Sequence, residues 1–215
     1  MSSRIREAQI ALMDTGCYFS SYRAGRTSVP AGGVTVDLYD LPRLDPQQYA
    51  CMVIDHLADQ EFLYRERSAV QAFLEEGNIV VFSGHLFRPW LPGASLFQPK
   101  AFQAVDDYRI SIDHPHPIFE GVEPDDMTFN KGVAGFFARG HHEPPLQAEV
   151  LLRLPGGEAV TYIDRHSTRG TIVVHSGNNL MGYDHQGSTS GRIGGQLRGW
   201  VQAEHAELQA RRALR

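Results

Sequence analysis

The sequence predicts an α/β fold in which helices flank a mostly parallel central sheet, with an added antiparallel hairpin. Three short apolar runs predict buried strands, and they are Cys51–Ile54, Ile79–Phe82 and Thr171–Val174. Apolar runs of this length are typical of strands that are covered on both faces, as in parallel sheets. A helical pattern with short joints separates the first two runs. Such a strand-helix-strand unit makes its strands parallel, with a right-handed crossover.

Two further strands are predicted before these runs. Ala8–Met13 is apolar and ends at Asp14-Thr15-Gly16, and Val34–Leu41 follows a polar stretch that contains glycine. Leu41–Pro46 is predicted to be a loop because proline lacks a backbone donor and disfavours helix at the preceding residue. The third strand then extends over Tyr49–Ile54.

The clearest helix is predicted over Asp59–Glu76. Its apolar residues fall on one face at helical spacing, and they are Phe62, Leu63, Ala69, Val70, Phe73 and Leu74. Gly77 is a natural end for this helix, because glycine adopts the left-handed conformation without a Cβ penalty. The strand Asn78–Phe82 begins directly after it.

The second half of the chain adds a hairpin and a final helix. Glu149–Leu154 and Glu158–Asp164 are separated by Pro155-Gly156-Gly157, which predicts a turn between two antiparallel strands. A helix is predicted over about Arg192–Ala213. Since no repeat or linker interrupts the pattern, residues 1–215 are predicted to form a single domain.

Composition argues against several classes of partner. The 215 residues are 42% hydrophobic and 21% charged, as in ordinary globular proteins. The formal net charge of −5 argues against a nucleic-acid partner. No apolar run of about 18 residues could span a membrane, and residues 1–7 lack the pattern of a signal peptide. With Cys17 and Cys51 as the two cysteines, no disulfide framework is expected and a cytoplasmic location is predicted.

Each of the three apolar runs ends in a polar cluster that contains histidine. The clusters are Asp55-His56, Ser83-Gly84-His85 and His175-Ser176-Gly177-Asn178-Asn179, and Asp14 ends the first strand in the same way. The carboxyl ends of parallel strands share one edge of a sheet, and open α/β sheets bind their ligands there. We therefore expect a small-molecule site that includes Asp14, Asp55, Gly84, Asn178 and Asn179.

Several chemistries are compatible with this cluster. His56, His85 or His175 could serve as a general base, and Ser83 could serve as a nucleophile with Asp55 orienting the histidine. However, the sequence around Ser83 departs from G-x-S-x-G, so a tight turn that closes the strand is the alternative. No cofactor is predicted. A zinc or iron ion bound by His56, His85 and His175 is the lesser alternative, because no local metal motif is present.

The loop Gly187–Gly195 precedes the last helix and is a second candidate site. Free backbone donors at the start of a helix, together with Arg192, favour a phosphate or carboxylate. The loop is not a P-loop, since no Lys-Ser or Lys-Thr follows the glycines. A capped, flexible loop is the alternative.

Three segments carry a family resemblance. They are Ala72–Gly84 (AFLEEGNIVVFSG), His116–Gly121 (HPIFEG) and Gly170–Gly177 (GTIVVHSG), and the layout that they define spans about residues 8–205. In this order the segments resemble the class I glutamine amidotransferase-like superfamily, and within it the trehalose-utilization (ThuA-like) branch. The resemblance implies a flavodoxin-like fold and a single amidotransferase-like domain.

The same resemblance bears on function. Working glutamine amidotransferases place a catalytic Cys at a tight strand-to-helix turn, whereas the equivalent turn here is Ser83-Gly84-His85, and the family's later His-Pro-Glu segment is also missing. Glutaminase activity is therefore not expected. One hypothesis is a ThuA-like protein, an enzyme such as a hydrolase or a sensor, that binds a polar, carbohydrate-like ligand. The other is a catalytically silent module for protein–protein interaction or complex assembly, with self-association into a homo-oligomer left open.

Overall fold

The computed structural model describes residues 9–20, 33–183 and 187–214. The predicted start of the first strand at Ala8, and residues 1–7, lie outside the described residues. The strands are β1 (Gln9–Asp14), β2 (Gly33–Asp37), β3 (Tyr49–Ile54), β4 (Ile79–Ser83), β5 (Gln98–Pro99), β6 (Ser111–Ile112), β7 (Phe129–Asn130), β8 (Val133–Ala134), β9 (Gly140–His141), β10 (Glu149–Arg153), β11 (Ala159–Asp164) and β12 (Thr171–His175). The α-helices are α1 (Gln60–Arg65), α2 (Arg67–Glu75), α3 (Pro124–Thr128) and α4 (Ile193–Ala213).

In these ranges, eight strands form one sheet in the order β2-β1-β3-β4-β12-β11-β10-β6. The first five are mutually parallel. The remaining three are added antiparallel to their neighbours. The predicted α/β, flavodoxin-like class is thus confirmed, including the hairpin that β10 and β11 form. The two-stranded pairs β5–β9 and β7–β8 lie outside the main sheet.

The central strands are buried on both faces, as their unbroken apolar sequences predict. On β4, Ile79 and Val81 belong to a core that also contains Leu197 and Val201 of α4. Val80 and Phe82 belong to the opposite core, which contains residues of α1 and α2. Burying a side chain of this kind stabilises the fold by about 1.5–3 kcal/mol relative to exposure. None of the helices in the described ranges combines the length and apolar content that a membrane span requires.

The helix predicted over Asp59–Glu76 is divided in two. Asp59 caps α1 by accepting the Phe62 N–H at 3.0 Å, and the backbone leaves helical geometry at Glu66 (φ −96°, ψ 19°). The Arg67 guanidinium donates to the Tyr64 carbonyl at 2.7 Å, so a side chain occupies an acceptor near the break. Both segments nevertheless cover the same face of the sheet.

A close backbone approach fixes the turns after β3 and β4. Gly84 has φ +142°, and a Cβ built there would lie 2.8 Å from Cα of His56. The Gly84 N–H donates to the His175 carbonyl at 2.8 Å, which extends the pairing of β4 with β12 past the end of the strand. These contacts bring the segments after β3, β4 and β12 together at one edge of the sheet.

We expect Gly84→Ala to destabilise the protein more than Gly157→Ala. Both glycines have positive φ (+142° and +90°), a conformation that costs other residues about 1–3 kcal/mol. A Cβ at Gly157 meets nothing within 4 Å, whereas one at Gly84 meets the His56 backbone. Urea denaturation of both variants measures the difference in the free energy of unfolding. Equal losses would show that the approach of Gly84 to His56 does not constrain the fold.

Candidate functional site

A cavity of about 340 Å³ lies at the edge where the parallel strands β3, β4 and β12 end. Its polar side chains are His56, His85, Arg139, Ser176 and Asn178. Phe87, Phe136 and Ala138 form the apolar part of the wall, and Gly84, Gly135 and Gly177 complete the lining. The structure therefore brings together four of the residues predicted from strand ends: His56, Gly84, His85 and Asn178. A larger cavity of about 670 Å³ opens elsewhere, beside the loop that precedes β12.

His85 is exposed, but an aromatic neighbour holds its ring. Its ring stacks on Phe97 with 3.7 Å between ring centroids and 12° between planes. Partial burial lowers the pKa of His85, and the charges of His56 and Arg139 lower it further. The imidazole is therefore largely neutral at pH 7, and a neutral imidazole can accept a proton.

Gln60 positions the segment that carries His85, and the sequence prediction missed it. This side chain is buried; its Nε2 donates to the His85 carbonyl at 2.7 Å, and its Oε1 accepts the Phe87 N–H at 3.0 Å. The indole N–H of Trp90 also donates to Oε1, at 3.3 Å. Gln60 lies in the first turn of α1, where a polar residue is ordinary, so no sequence signal marks this role.

Asp14 and Asp55 are buried and are not among the residues that line the cavity. Each closes its own turn, because Asp14 accepts the Gly16 N–H at 3.0 Å and Asp55 accepts the Leu57 N–H at 2.8 Å. Burial raises the pKa of Asp55; the Leu57 hydrogen bond and the charge of His56 oppose this shift, and the charge of Asp14 adds to it. The two carboxylates are thus close neighbours at the strand ends.

Ser83 and His175 are fully buried and do not line the cavity. Ser83 Oγ accepts the Leu180 N–H at 3.2 Å, so this hydroxyl holds a loop. His175 Nδ1 lies 2.8 Å from Thr161 Oγ1, and its ring meets Phe137 edge-on with 4.7 Å between centroids. The expected convergence of three histidines is therefore found for His56 and His85 and not for His175. The geometry offers no support for Ser83 as a nucleophile.

His142 is a second buried histidine that the strand-end pattern missed. Its Nε2 accepts the Leu86 N–H at 3.1 Å, so it also holds the segment after β4. Burial lowers the pKa of His142 to about 3, with contributions from His85 and His141. Burial likewise lowers the pKa of His175 to about 3, with a contribution from His142. Both rings are neutral structural groups at physiological pH.

Of the two asparagines after β12, one lines the cavity and the other holds the backbone. Asn178 is exposed and lines the cavity. Asn179 is buried, and its Oδ1 accepts the Met181 N–H at 3.0 Å, which caps the short helix Leu180–Gly182. The prediction of Asn179 as a ligand-binding residue therefore receives no support from this geometry.

Arg192 is exposed beside Gly121 and does not line the cavity. In the loop before it, the N–H and hydroxyl of Thr189 donate to the Asp126 carboxylate at 2.8 and 2.6 Å. A carboxylate of the chain itself thus occupies donors that were expected to bind an external anion. The predicted anion site at this loop is therefore not favoured.

Arg139 is the cavity residue that sequence reasoning missed most clearly. It lies between β8 and β9, in a part of the chain where prolines obscure any periodic pattern. Its segment packs tightly on the end of β12, because a Cβ at Gly177 would lie 1.8 Å from the Phe137 carbonyl oxygen. The position of Arg139 thus depends on tertiary packing.

The histidines of the cavity do not form a metal cluster. Within the described part of the chain, no group of three or more His, Cys, Asp or Glu side chains is arranged to hold a metal ion. His175 in particular is hydrogen-bonded to Thr161 and does not line the cavity. The geometry therefore gives no support to a metal bound by His56, His85 and His175.

Comparisons with known proteins concern the fold. No protein-family model matches the chain, and no curated protein matches it in sequence. A cytoplasmic protein from Salmonella typhimurium is similar, with a TM-score of 0.53 and 9% identity, over 88% of this chain and 98% of that one. A second cytoplasmic protein, from Salmonella typhimurium LT2, has a TM-score of 0.51 and 10% identity, over 92% and 98%. These two likenesses show a shared fold alone.

A glutamine amidotransferase from Thermotoga maritima is also among the similar structures. Its TM-score is 0.47 and its identity 12%, over 96% of this chain and 86% of that one. The residues of the site are therefore interpreted from their own geometry.

Because His142 and His175 are buried, we expect the stability of the protein to decrease as pH falls. Their folded-state pKa values, about 3, lie below the unfolded value of about 6.5, so the unfolded chain binds protons first as pH falls. The contribution of the two neutral histidines to stability is thus fully present above pH 6.5 and is lost progressively below it. At pH 5 the loss is up to about 2 kcal/mol for each histidine, at 1.36 kcal/mol per pH unit.

The variant His142→Gln tests this expectation. Its free energy of unfolding should fall less between pH 7.5 and 5 than that of the wild type, whatever its stability at pH 7.5. Urea denaturation across this range measures the slope, and His114→Gln, which removes an exposed imidazole, is the control. A wild-type slope in His142→Gln would show that His142 is not held neutral by the fold.

Proposed function

We propose that this chain is an amidotransferase-like protein that binds a small polar ligand at the carboxyl edge of its parallel strands and promotes hydrolysis or proton transfer. The observation that carries the proposal is the meeting of His56, His85 and Asn178 around one cavity. Its volume of about 340 Å³ is at the small end of ligand pockets and suits a ligand the size of a monosaccharide. A carbohydrate-like ligand fits hydrogen-bonding groups that are flanked by the aromatic rings of Phe87 and Phe136.

His85 is the proposed general base. Its lowered pKa keeps the ring available to accept a proton at neutral pH. Phe97 fixes the ring plane and Gln60 fixes the backbone, so the side chain is organised before any ligand binds. His56 lies beside it with the Asp55 carboxylate close by, and the Asn178 amide supplies a donor and an acceptor at the cavity wall.

Glutaminase chemistry is not part of the proposal. The resemblance equates the turn at Ser83 with the family's catalytic-cysteine turn, and the buried hydroxyl of Ser83 accepts the Leu180 N–H. Cys51 is buried within β3, and burial raises the pKa of its thiol, which opposes formation of the nucleophilic thiolate. Cys17 follows β1 and is not among the lining residues. The proposed chemistry therefore relies on histidine instead of cysteine.

Nuclear magnetic resonance of the histidine rings tests the proposal directly. The full chain is labelled at histidine and titrated with glucose, N-acetylglucosamine, glucuronate and glucose 6-phosphate. We expect at least one of these probes to move the ring signals of His56 and His85, which line the cavity, and to leave the exposed His114 unmoved. The variants His56→Gln and His85→Gln assign the signals. If a folded sample shows no change at His56 or His85 with any probe, the proposal fails.

A second candidate function is a catalytically silent interaction module. The observation that favours it is exposed apolar surface in the segment after β4, where Phe87 is 58% exposed and Leu96 is 47% exposed.

Self-association through this segment should be weakened by Phe87→Ser and Leu96→Ser and unaffected by Leu146→Ser, which alters an equally apolar exposed residue. Sedimentation velocity over a wide concentration range measures this. A wild-type monomer throughout would contradict self-association.

A further inference from the structure

We propose that the ligand of this cavity is an anionic small molecule whose carboxylate or phosphate group binds Arg139 and His85. The inference deepens the proposed function and rests on it, since it names the charge of the ligand at the same site. Four observations support it: the charges that line the cavity, the free end of Arg139, the packing that holds Arg139, and the surroundings of His85.

The ionisable side chains that line the cavity are all basic ones. His56, His85 and Arg139 line it, whereas no Asp or Glu of the described residues does so. Asp55 lies nearby but is buried, and burial raises its pKa. Arg139 carries a permanent positive charge, and a histidine beside it becomes positive on taking up a proton, so the cavity attracts ligands of negative charge. A net charge of −5 for the whole chain does not alter this local arrangement.

Arg139 has donors to offer to a ligand. Its Nε donates to the Gly135 carbonyl at 3.1 Å, and no carboxylate of the described residues forms an ion pair with it. The guanidinium nitrogens beyond Nε can bind a carboxylate or phosphate through two parallel hydrogen bonds.

The larger cavity of about 670 Å³ provides the contrast. It is also lined by arginines, but Arg165 pairs with Glu204 at 2.7 Å, Arg169 with Glu75 at 3.5 Å and Arg212 with Glu76 at 2.5 Å. Its positive charges are therefore balanced within the chain, and it is a poorer anion site than the smaller cavity.

The backbone of Arg139 is held by its neighbours. Its carbonyl accepts the Lys100 N–H at 3.2 Å, and the next residue, Gly140, pairs with Pro99 between β5 and β9. Ala138 beside it is buried. A cation on a fixed backbone loses less conformational entropy when it binds a ligand than one on a mobile loop.

His85 adds a dependence on pH. The groups that face it are His56 after β3, Arg139 before β9 and the buried His142. The charges of His56 and Arg139 act with burial to lower the pKa of His85, and a bound anion between these groups would oppose that effect. Anion binding and proton uptake by His85 are therefore linked, so the affinity for an anion of constant charge rises as pH falls.

The experiment compares glucose, glucuronate and glucose 6-phosphate on the full chain, by calorimetry and by the ring signals of His56 and His85. We expect the anionic probes to bind at least about tenfold more tightly than glucose, as one charged hydrogen bond can supply. The two anions distinguish a carboxylate from a phosphate. For glucuronate, whose charge is constant over pH 5.5–8, the His85 signal should titrate at a higher pH when the ligand is bound.

Arg139→Gln and Arg192→Gln are the matched variants, since each removes one exposed positive charge and Arg192 lies outside the cavity. Arg139→Gln should remove the preference for the anions and the upward shift of His85, whereas Arg192→Gln should keep both. Arg139→Lys, which restores the charge without the paired donors, should recover part of the preference. Unchanged ring signals for the histidines other than His56 and His85 confirm that each variant is folded.

The results separate the charge of the ligand, the existence of the site and the role of Arg139. If glucose moves His56 and His85 as strongly as the anions do, the anionic class is wrong and the proposed small-molecule site stands. If no probe moves these signals, the proposed function fails along with the inference. If Arg139→Gln and Arg192→Gln weaken anion binding equally, the effect belongs to the overall charge and Arg139 is not the binding group.

Discussion

The arrangement of this protein depends on the burial of four adjoining parallel strands on both faces. Within β1, β3, β4 and β12 the interior side chains are covered from both sides, so an unpaired polar group there would cost about 1–3 kcal/mol. Polar chemistry is therefore confined to the strand ends. There, the first polar residue is still covered, as Asp55, Ser83 and His175 are, and it closes a turn or holds a loop. Residues further along, His56, His85 and Asn178, reach the cavity.

This division explains which parts of the site the sequence could predict. The strands, the hairpin and the edge on which the cavity lies follow from apolar runs and turn residues, which are local patterns. The choice between Ser83 and His85, or between His175 and Asn178, is not local. Ser83 is covered because Leu180 donates to it, and His175 because Phe137 packs on its ring. Neither covering segment has a pattern that marks it before the fold is known.

The wall of the cavity opposite the strand ends is built from a segment with little regular structure. Between β4 and β10 the described helices and strands are short, and a few polar contacts hold the chain in place. Gln60 binds the backbone of His85 and Phe87, and His142 binds that of Leu86. A proton on Nε2 of His142 would remove the acceptor of the Leu86 N–H, so this anchor requires the neutral ring. The pair His141-His142 lies in this segment, and no local pattern indicates which backbone group His142 contacts.

The charged groups are unevenly distributed around the cavity. Asp55, which precedes His56 in the chain, is buried and does not line the cavity. Arg139 lines the cavity and forms no ion pair with a carboxylate of the described residues, and its charge, like that of His56, lowers the pKa of His85. Because the guanidinium of Arg139 keeps its charge at physiological pH, it is the group that attracts the proposed anion most strongly. A ligand with one charged end would be oriented by this difference, with its uncharged hydroxyl groups left to Asn178 and to the backbone of the glycine turns. Because Asp14 and Asp55 are buried and close their own turns, the cavity has no acidic side chain among the described residues that line it.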